Sequence, residues 1–192
     1  MKKIVLLITI LFVSVISTAC INNIAVQELN NKAQEYMEKG ETDKAISRLR
    51  SSIDLDTSIF ETHYNLGVAL IKVKEYEEAQ VSLLNAISLK PEFADSYYSL
   101  AIAMESQADS IVENDSEDGD EEILSESDKV KAVDLYNSAI ENYNKYLVKK
   151  SQVSDKEQIE DKISLLNDRI REYSVSRDSS VPALPKKGVE QE

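Results

Sequence analysis

The sequence contains few of the residues that break helices or carry out reaction chemistry. Its 192 residues include four glycines, three prolines, one cysteine, one histidine and no tryptophan. Because glycine and proline are the strongest helix breakers, their scarcity favours helices joined by short turns. The single cysteine excludes an intrachain disulfide, so packing alone must hold the fold. We therefore expect one all-α domain.

Catalytic and metal-binding groups are equally scarce. His63 and Cys20 are the only residues of their types, so there is no second histidine for a metal cluster and no spare thiol to act as a nucleophile. There is also no glycine-rich phosphate loop. The 35 carboxylates could place a pair across a sugar, as in glycosidases, but no pattern singles one out. We predict a non-enzyme with no catalytic residue, no metal and no cofactor.

Acidic residues outnumber basic ones, 35 to 22, which gives a formal net charge of −13. Such a surface repels nucleic acid and anionic lipid head groups unless basic side chains gather on one face. No stretch of the sequence gathers lysine and arginine without acids between them. We therefore expect no nucleic-acid partner.

The acidic residues are densest between Glu113 and Asp128, where nine of 16 positions are acidic and none is basic. Like charges at this density repel one another, so we expect a solvated loop, inserted at about residues 112–128. A calcium site or a docking loop for a basic partner is the alternative. Aligning Gly119 with the glycine of an EF-hand puts Ser125 where a bidentate glutamate is required, so the calcium motif fails.

The N-terminus combines a basic start with an apolar run. Lys2 and Lys3 precede an apolar stretch at residues 4–16, and Ser17-Thr18-Ala19 then leads to Cys20. This arrangement resembles the signal peptide and lipobox of bacterial lipoprotein precursors. The alternative is an uncleaved N-terminal membrane helix, since the apolar region just reaches spanning length.

The lipoprotein resemblance implies a processing route and a location. Residues 1–19 would be removed, Cys20 would carry a diacylglyceryl group and often a further acyl chain such as palmitate, and residues 20–25 would form a short tether. The protein would then be lipid-anchored in the cell envelope, to a membrane outside the cytoplasm. Ile21 is not the aspartate associated with inner-membrane retention, so the outer membrane is implied where the organism has one.

Self-comparison at a spacing of 34 residues aligns small residues with small ones and large apolar residues with large ones. The aligned sets are Ala33, Gly67 and Ala101; Ala45 and Ala79; Leu49 and Leu83; Ile53 and Ile87; Tyr64 and Tyr98; and Leu66 and Leu100. This spacing resembles that of the tetratricopeptide repeat. The resemblance is best in residues 60–93, where the family pattern is matched by Leu66-Gly67, Tyr76, Ala79, Leu83, Ala86 and Pro91.

The resemblance implies an all-α fold, a short right-handed superhelical solenoid of about three helix-turn-helix units with a C-terminal capping helix. The units would be residues 26–59, 60–93 and 94–151, the cap 154–173, and the disordered tail 174–192. In the third unit the first helix is expected to end near Ile111. Either Ala132 or Ala139 fits the conserved small residue of its second helix. Ser154 and Glu157 form a capping box for the last helix.

In this family the first helix of each unit lines a concave groove. The groove positions implied here are Asn30, Gln34 and Met37, then Tyr64, Val68 and Ile71, then Tyr98, Ile102 and Glu105. We expect an apolar strand or helix of a protein partner, anchored by Tyr64 and Tyr98. The alternative is that these rings are buried against a neighbouring helix, the cap or a second copy of the chain.

Two further implications concern specificity and His63. Many cytosolic members grip a C-terminal carboxylate with lysine, asparagine and arginine, but the corresponding places here are Asn30, Gln34, Asp95 and Ser99, so no carboxylate clamp is expected. His63 falls where the family often has a large aromatic residue, which implies a packing role.

The combined prediction is a membrane-anchored scaffold or assembly helper of the bacterial cell envelope. A self-assembling structural envelope protein and an accessory of cell-wall turnover are the alternatives. The oligomeric state stays open at this point.

Overall fold

The computed structural model describes residues 23–114, 124–150 and 154–178, and within these ranges the chain forms seven α-helices and no strand. They are α1 (23–38), α2 (Thr42–Leu55), α3 (Phe60–Lys72), α4 (Tyr76–Leu89), α5 (Ala94–Asn114), α6 (Glu126–Lys149) and α7 (Lys156–Asp178). The predicted all-α fold is confirmed. The predicted leader, Cys20 and the end of the tail lie outside the described residues. None of the described helices is both long and apolar enough to span a membrane.

The helices pack in chain order. Contacts run from α2 to α3, α3 to α4, α4 to α5, α5 to α6 and α6 to α7, and α3 also touches α5. Ala33 of α1 and Leu49 of α2 belong to the same buried cluster. Each element therefore packs mainly on its neighbours along the chain, which is the packing order of a helical solenoid. The hairpins α1–α2, α3–α4 and α5–α6 are its three units.

The first two hairpins turn in the same way at equivalent positions. Gly40 ends α1 with φ 75°, and Lys74 ends α3 with φ 63°. In each turn the following amide donates to a carbonyl five residues back, Glu41 to Tyr36 and Glu75 to Leu70. This left-handed helix ending suits glycine, which has no Cβ, better than it suits lysine.

The structure settles the register of the third hairpin. The helices α2, α4 and α6 all end with a backbone amide bonded to the carbonyl four residues earlier. Counting back ten residues from each last helical residue reaches Ala45, Ala79 and Ala139, and all three are fully buried. Ala139 is therefore the equivalent small residue, and Ala132 lies in the additional turns of the long helix α6.

The additional turns change the third hairpin and its cap. The helix α5 ends at Asn114, not near Ile111, and α6 begins at Glu126 because Ser125 Oγ accepts from the amide of Asp128. Residues 115–123 of the acidic insertion lie outside the described part of the chain. The helix α7 begins at Lys156, and its Ile159 and Leu166 are buried in the second core cluster with residues of α5 and α6.

The disordered tail was predicted to begin at residue 174, but the last helix extends beyond that residue. The helix α7 continues through residues 174–178, because no glycine or proline interrupts it there. The first proline after α7 is Pro182.

Candidate functional site

Two clefts follow one another along the facing sides of α1 and α3. The first has a volume of about 360 Å³ and is lined by Ala33, Gln34, Met37, Leu49, Asn65 and Val68. Three of the predicted groove residues, Gln34, Met37 and Val68, therefore share one surface. Gln34 and Asn65 are exposed, whereas Met37 and Val68 are half-buried. The cleft thus has an apolar floor bordered by amides.

The second cleft lies toward the N-terminal ends of the same two helices. Its volume is about 420 Å³, and its lining is Asn23, Val26, Gln27, Asn30, Asn31, Asp56, Ile59 and Glu61. Asn30 is the predicted groove residue in this cleft. Among the described residues, no lysine or arginine lines either cleft. The two clefts together offer neutral amides and, at one end, two carboxylates.

Asn30 also has a structural role beneath the second cleft. Its amide nitrogen lies 2.9 Å from the carbonyl of Val26, from Ser52 Oγ and from Thr62 Oγ1. Because Ser52 and Thr62 are buried, Asn30 satisfies polar atoms where α1, α2 and α3 meet. A partner would therefore reach only its exposed part.

The four predicted residues farther along the groove contribute to helix packing. Tyr64 stacks edge-on against Phe93 at 5.1 Å between ring centroids, and Tyr98 lies against Tyr143 and Tyr146 at 5.7 and 5.1 Å. Ile71 packs on the first core cluster and Ile102 on the second. All four are half-buried, so each packs on its neighbours and keeps part of its surface open to solvent.

The ninth predicted residue, Glu105, is paired inside the protein. Its side chain is 12% exposed and lies 3.0 Å from Lys162 Nζ of α7. The Tyr143 hydroxyl donates to the same carboxylate at 2.5 Å. Burial, and then the hydrogen bond to this carboxylate, raise the pKa of the Tyr143 hydroxyl. Glu105 therefore connects α5, α6 and the cap.

A parallel contact lies one turn farther along α5. The Tyr136 hydroxyl donates to Asp109 Oδ1 at 2.8 Å, and Arg169 of α7 pairs with the same carboxylate. The ring of Tyr173 stacks on that of Tyr136 at 6.5 Å between centroids. These contacts, like those of Glu105, hold α7 against the third hairpin.

Sequence reasoning missed four exposed amides of the two clefts. Asn23, Gln27, Asn31 and Asn65 were not among the expected groove residues, yet each lines a cleft. Asn31 and Asn65 lie 34 residues apart and so occupy equivalent places on α1 and α3. That repetition of asparagine at the repeat spacing is the signal that could have identified them.

His63 has the packing role that was expected of it. It is buried, and its Nε2 lies 2.9 Å from the carbonyl of Thr57. In the described part of the chain, no group of three or more histidine, cysteine, aspartate or glutamate side chains is placed to hold a metal.

The fold defines an all-α repeat protein of stacked helical hairpins. The model of the tetratricopeptide repeat family matches residues 29–58 and 60–93, which correspond to the first two hairpins. These two hairpins are therefore tetratricopeptide repeats, as the sequence resemblance predicted.

Solved structures show the same fold. The tetratricopeptide-repeat domain of Arabidopsis OM64 matches at a TM-score of 0.58 and 14% identity, covering 74% of this chain and 96% of that domain. The second such domain of human RPAP3, in complex with the HSP70 peptide SGPTIEEVD, matches at 0.57 and 14%, covering 76% and 98%. The TPR2B domain of yeast Sti1, in a pHsp70 complex, matches at 0.54 and 18%, covering 80% and 99%. No curated protein sequence matches.

Proposed function

We propose that this protein is a lipid-anchored scaffold of the bacterial cell envelope that binds an extended segment of a protein partner between α1 and α3. The observation that carries the proposal is the pair of adjacent clefts lined by amides over an apolar floor. An amide side chain has both a donor and an acceptor, so it can pair with the backbone of an extended peptide whatever its sequence.

The lining also indicates which peptides fit. The RPAP3 domain is in complex with the HSP70 peptide SGPTIEEVD, which has three acidic residues among its last four, and the Sti1 domain is in a pHsp70 complex. In this chain Asp56 and Glu61 line the second cleft, and among the residues that the structure describes no lysine or arginine lines either cleft. An acidic C-terminus would meet like charge there, so the partner segment is neutral or basic. Met37 and Val68 favour an apolar side chain in the first cleft.

The membrane part of the proposal comes from the N-terminal sequence. The basic start, the apolar run and Cys20 resemble a lipoprotein precursor, and lipidation of Cys20 would hold the protein on the membrane. Supply of radiolabelled palmitate to cells should label the chain, and Cys20→Ser should abolish the labelling. The Cys20→Ser variant should also be lost from the membrane fraction.

Photo-crosslinking in living cells tests the groove. A photoreactive residue in place of Val68 should capture a partner, whereas one in place of Val81, which is exposed on α4 outside both clefts, should not. Asn31→Ala combined with Asn65→Ala should abolish capture at position 68. Asn144→Ala, an exposed asparagine of α6, is the matched control.

The amides are better targets than the tyrosines, because Tyr64 and Tyr98 take part in packing and their truncation would destabilise the helices. Circular dichroism should show unchanged helix content in every amide variant. Equal capture at positions 68 and 81, or capture that survives loss of both asparagines, would contradict the proposal.

A further inference from the structure

The open side of the first hairpin carries a third cleft, on the side of α1 turned away from α3. It has a volume of about 390 Å³ and is lined by Ala25, Glu28, Leu29, Lys32, Tyr36 and Arg48. Ile24 lies one turn before Glu28 on the same side of α1 and is 66% exposed. We call these seven residues the N-terminal edge. It combines apolar surface, one tyrosine and two cations.

The internal repeats show what is unusual about this edge. Residues 34 positions after Lys32 and 68 after it are Leu66 and Leu100, which are 3% and 2% exposed. The residue equivalent to Arg48 is Ser82, which is also buried. Both positions are therefore buried in the second hairpin, and the first of them is buried in the third. Burying Lys32 and Arg48 in that way would desolvate two charges, so the edge does not suit another stacked repeat.

The edge is cationic in a strongly acidic protein. Lys39 pairs with Glu35, and Lys44 pairs with Glu41. Among the described residues, Lys32 and Arg48 form no ion pair within 4 Å, although Lys32, after Lys39, helps to lower the pKa of the Glu35 carboxyl. Glu28 is the one carboxylate lining the cleft. The edge therefore has an excess of positive charge, although the chain has a net charge of −13.

Charge and distance together point to one occupant. Cys20 precedes Asn23, the first described residue, by three positions, which span about 10 Å at most. If Cys20 is lipidated, the start of α1 lies at the membrane surface. Ile24 and Leu29 suit the boundary of the acyl region, Tyr36 suits the head-group layer, and the two cations suit lipid phosphates.

We propose that the N-terminal edge docks on the anionic lipid surface of the membrane, so that α1 lies along it. This inference rests on the lipid anchor of the proposed function. The acidic remainder of the protein is repelled by the same lipids, which orients the chain with its cationic edge toward them. The anchor supplies attachment, and the edge supplies orientation.

Tryptophan quenching distinguishes a docked edge from a chain that is only tethered. The protein has no tryptophan, so a single introduced tryptophan is an unambiguous reporter. Tyr36 lies 12 residues after Ile24, or about 18 Å along the helix. Ile24→Trp reports the tethered end, Tyr36→Trp reports the far end of the edge, and Val148→Trp, at an 82% exposed position, reports a surface of α6.

The lipidated full chain would be reconstituted into phosphatidylcholine vesicles with or without phosphatidylglycerol, with nitroxide quencher on the head groups. A docked edge predicts strong quenching of both the Ile24→Trp and the Tyr36→Trp reporter in anionic vesicles, and weak quenching of Val148→Trp. Lys32→Glu with Arg48→Glu should lower the docked-to-undocked ratio at least about tenfold, since each cation near an anionic surface contributes appreciably. The control, Lys72→Glu with Lys131→Glu, makes the same change in net charge elsewhere and should have little effect.

The outcomes separate the two proposals. Flotation of the protein with vesicles and quenching of Ile24→Trp, without quenching of Tyr36→Trp, would keep the anchor and overturn the docking. Equal quenching of Tyr36→Trp in neutral and anionic vesicles, or no response to the charge reversal at the edge, would also overturn it. Failure to float with vesicles would overturn the anchor, and the docking with it.

Discussion

Gly67 lies where α3 crosses α4, and its replacement by alanine tests how closely the hairpin is packed. A Cβ at this position would lie 2.5 Å from Leu83 Cγ and 3.2 Å from the carbonyl oxygen of Ala79. Carbon atoms in contact prefer about 3.5–4.0 Å, so Leu83 would have to move by about 1 Å. Leu83 is fully buried, and such overpacking costs about 1–3 kcal/mol. Alanine recovers about 1 kcal/mol of helix propensity.

We therefore expect Gly67→Ala to lower the free energy of unfolding by about 1 kcal/mol, within a range of zero to 2. Urea unfolding followed by circular dichroism measures this. Leu83→Ala alone should cost about 2–5 kcal/mol, but it removes the atoms that a new Cβ would strike. In that background Gly67→Ala should stabilise, by about 1 kcal/mol. The same sign in both backgrounds would refute the argument from the close crossing.

Two other expectations follow from the turns and from the buried tyrosine. Gly40→Ala should destabilise by about 1–2 kcal/mol, because a residue with a Cβ is strained at a φ of 75°; no neighbour lies within 4 Å of the added Cβ, so a clash does not contribute. Lys74→Gly, at φ 63°, should instead stabilise by about 0.5–1 kcal/mol. Urea midpoints of the two variants that shift in the same direction would contradict this. Burial raises the pKa of Tyr143 above its ordinary value of 10.0, so the folded chain holds this proton more tightly. That contribution to stability is fully present below pH 10 and is lost as the pH rises above it. Above pH 10 the free energy of unfolding should therefore fall less steeply with pH in Tyr143→Phe than in the unsubstituted chain. An equal slope in the two proteins would show that Tyr143 does not contribute to the pH dependence.

The helix pairs could be predicted because the repeat spacing records the packing. Small residues recur where helices cross, and Leu49 and Leu83 recur where the space between helices must be filled. These positions are fixed by local geometry that repeats every hairpin, so one sequence contains several examples of the same contact. The groove positions Gln34, Met37 and Val68 were carried over from the places that the resemblance implies, and all three line one cleft.

The parts of the fold and of the surfaces that could not be predicted depend on features that do not repeat along the sequence. The insertion removes the fixed spacing in the third hairpin, so only the end of α6 identifies Ala139. Glu105 was assigned to the groove because its repeat position allowed it, but its actual partner, Lys162, lies 57 residues away on a helix outside the repeats. The cationic edge was missed because acids alternate with Lys32 and Arg48 along the chain, and only the fold separates them.

These differences place both proposed surfaces on one helix. In the third hairpin Tyr98 packs on α6 and Glu105 holds α7, whereas the two sides of α1 line the clefts from which both surfaces are proposed. Asn31 and Gln34 face the clefts toward α3, whereas Leu29 and Lys32 belong to the N-terminal edge. Because an α-helix is only about 10 Å across with its side chains, a segment bound beside α1 would be held within a short distance of the lipid surface. A partner captured in this groove is therefore expected to be one that itself reaches the membrane.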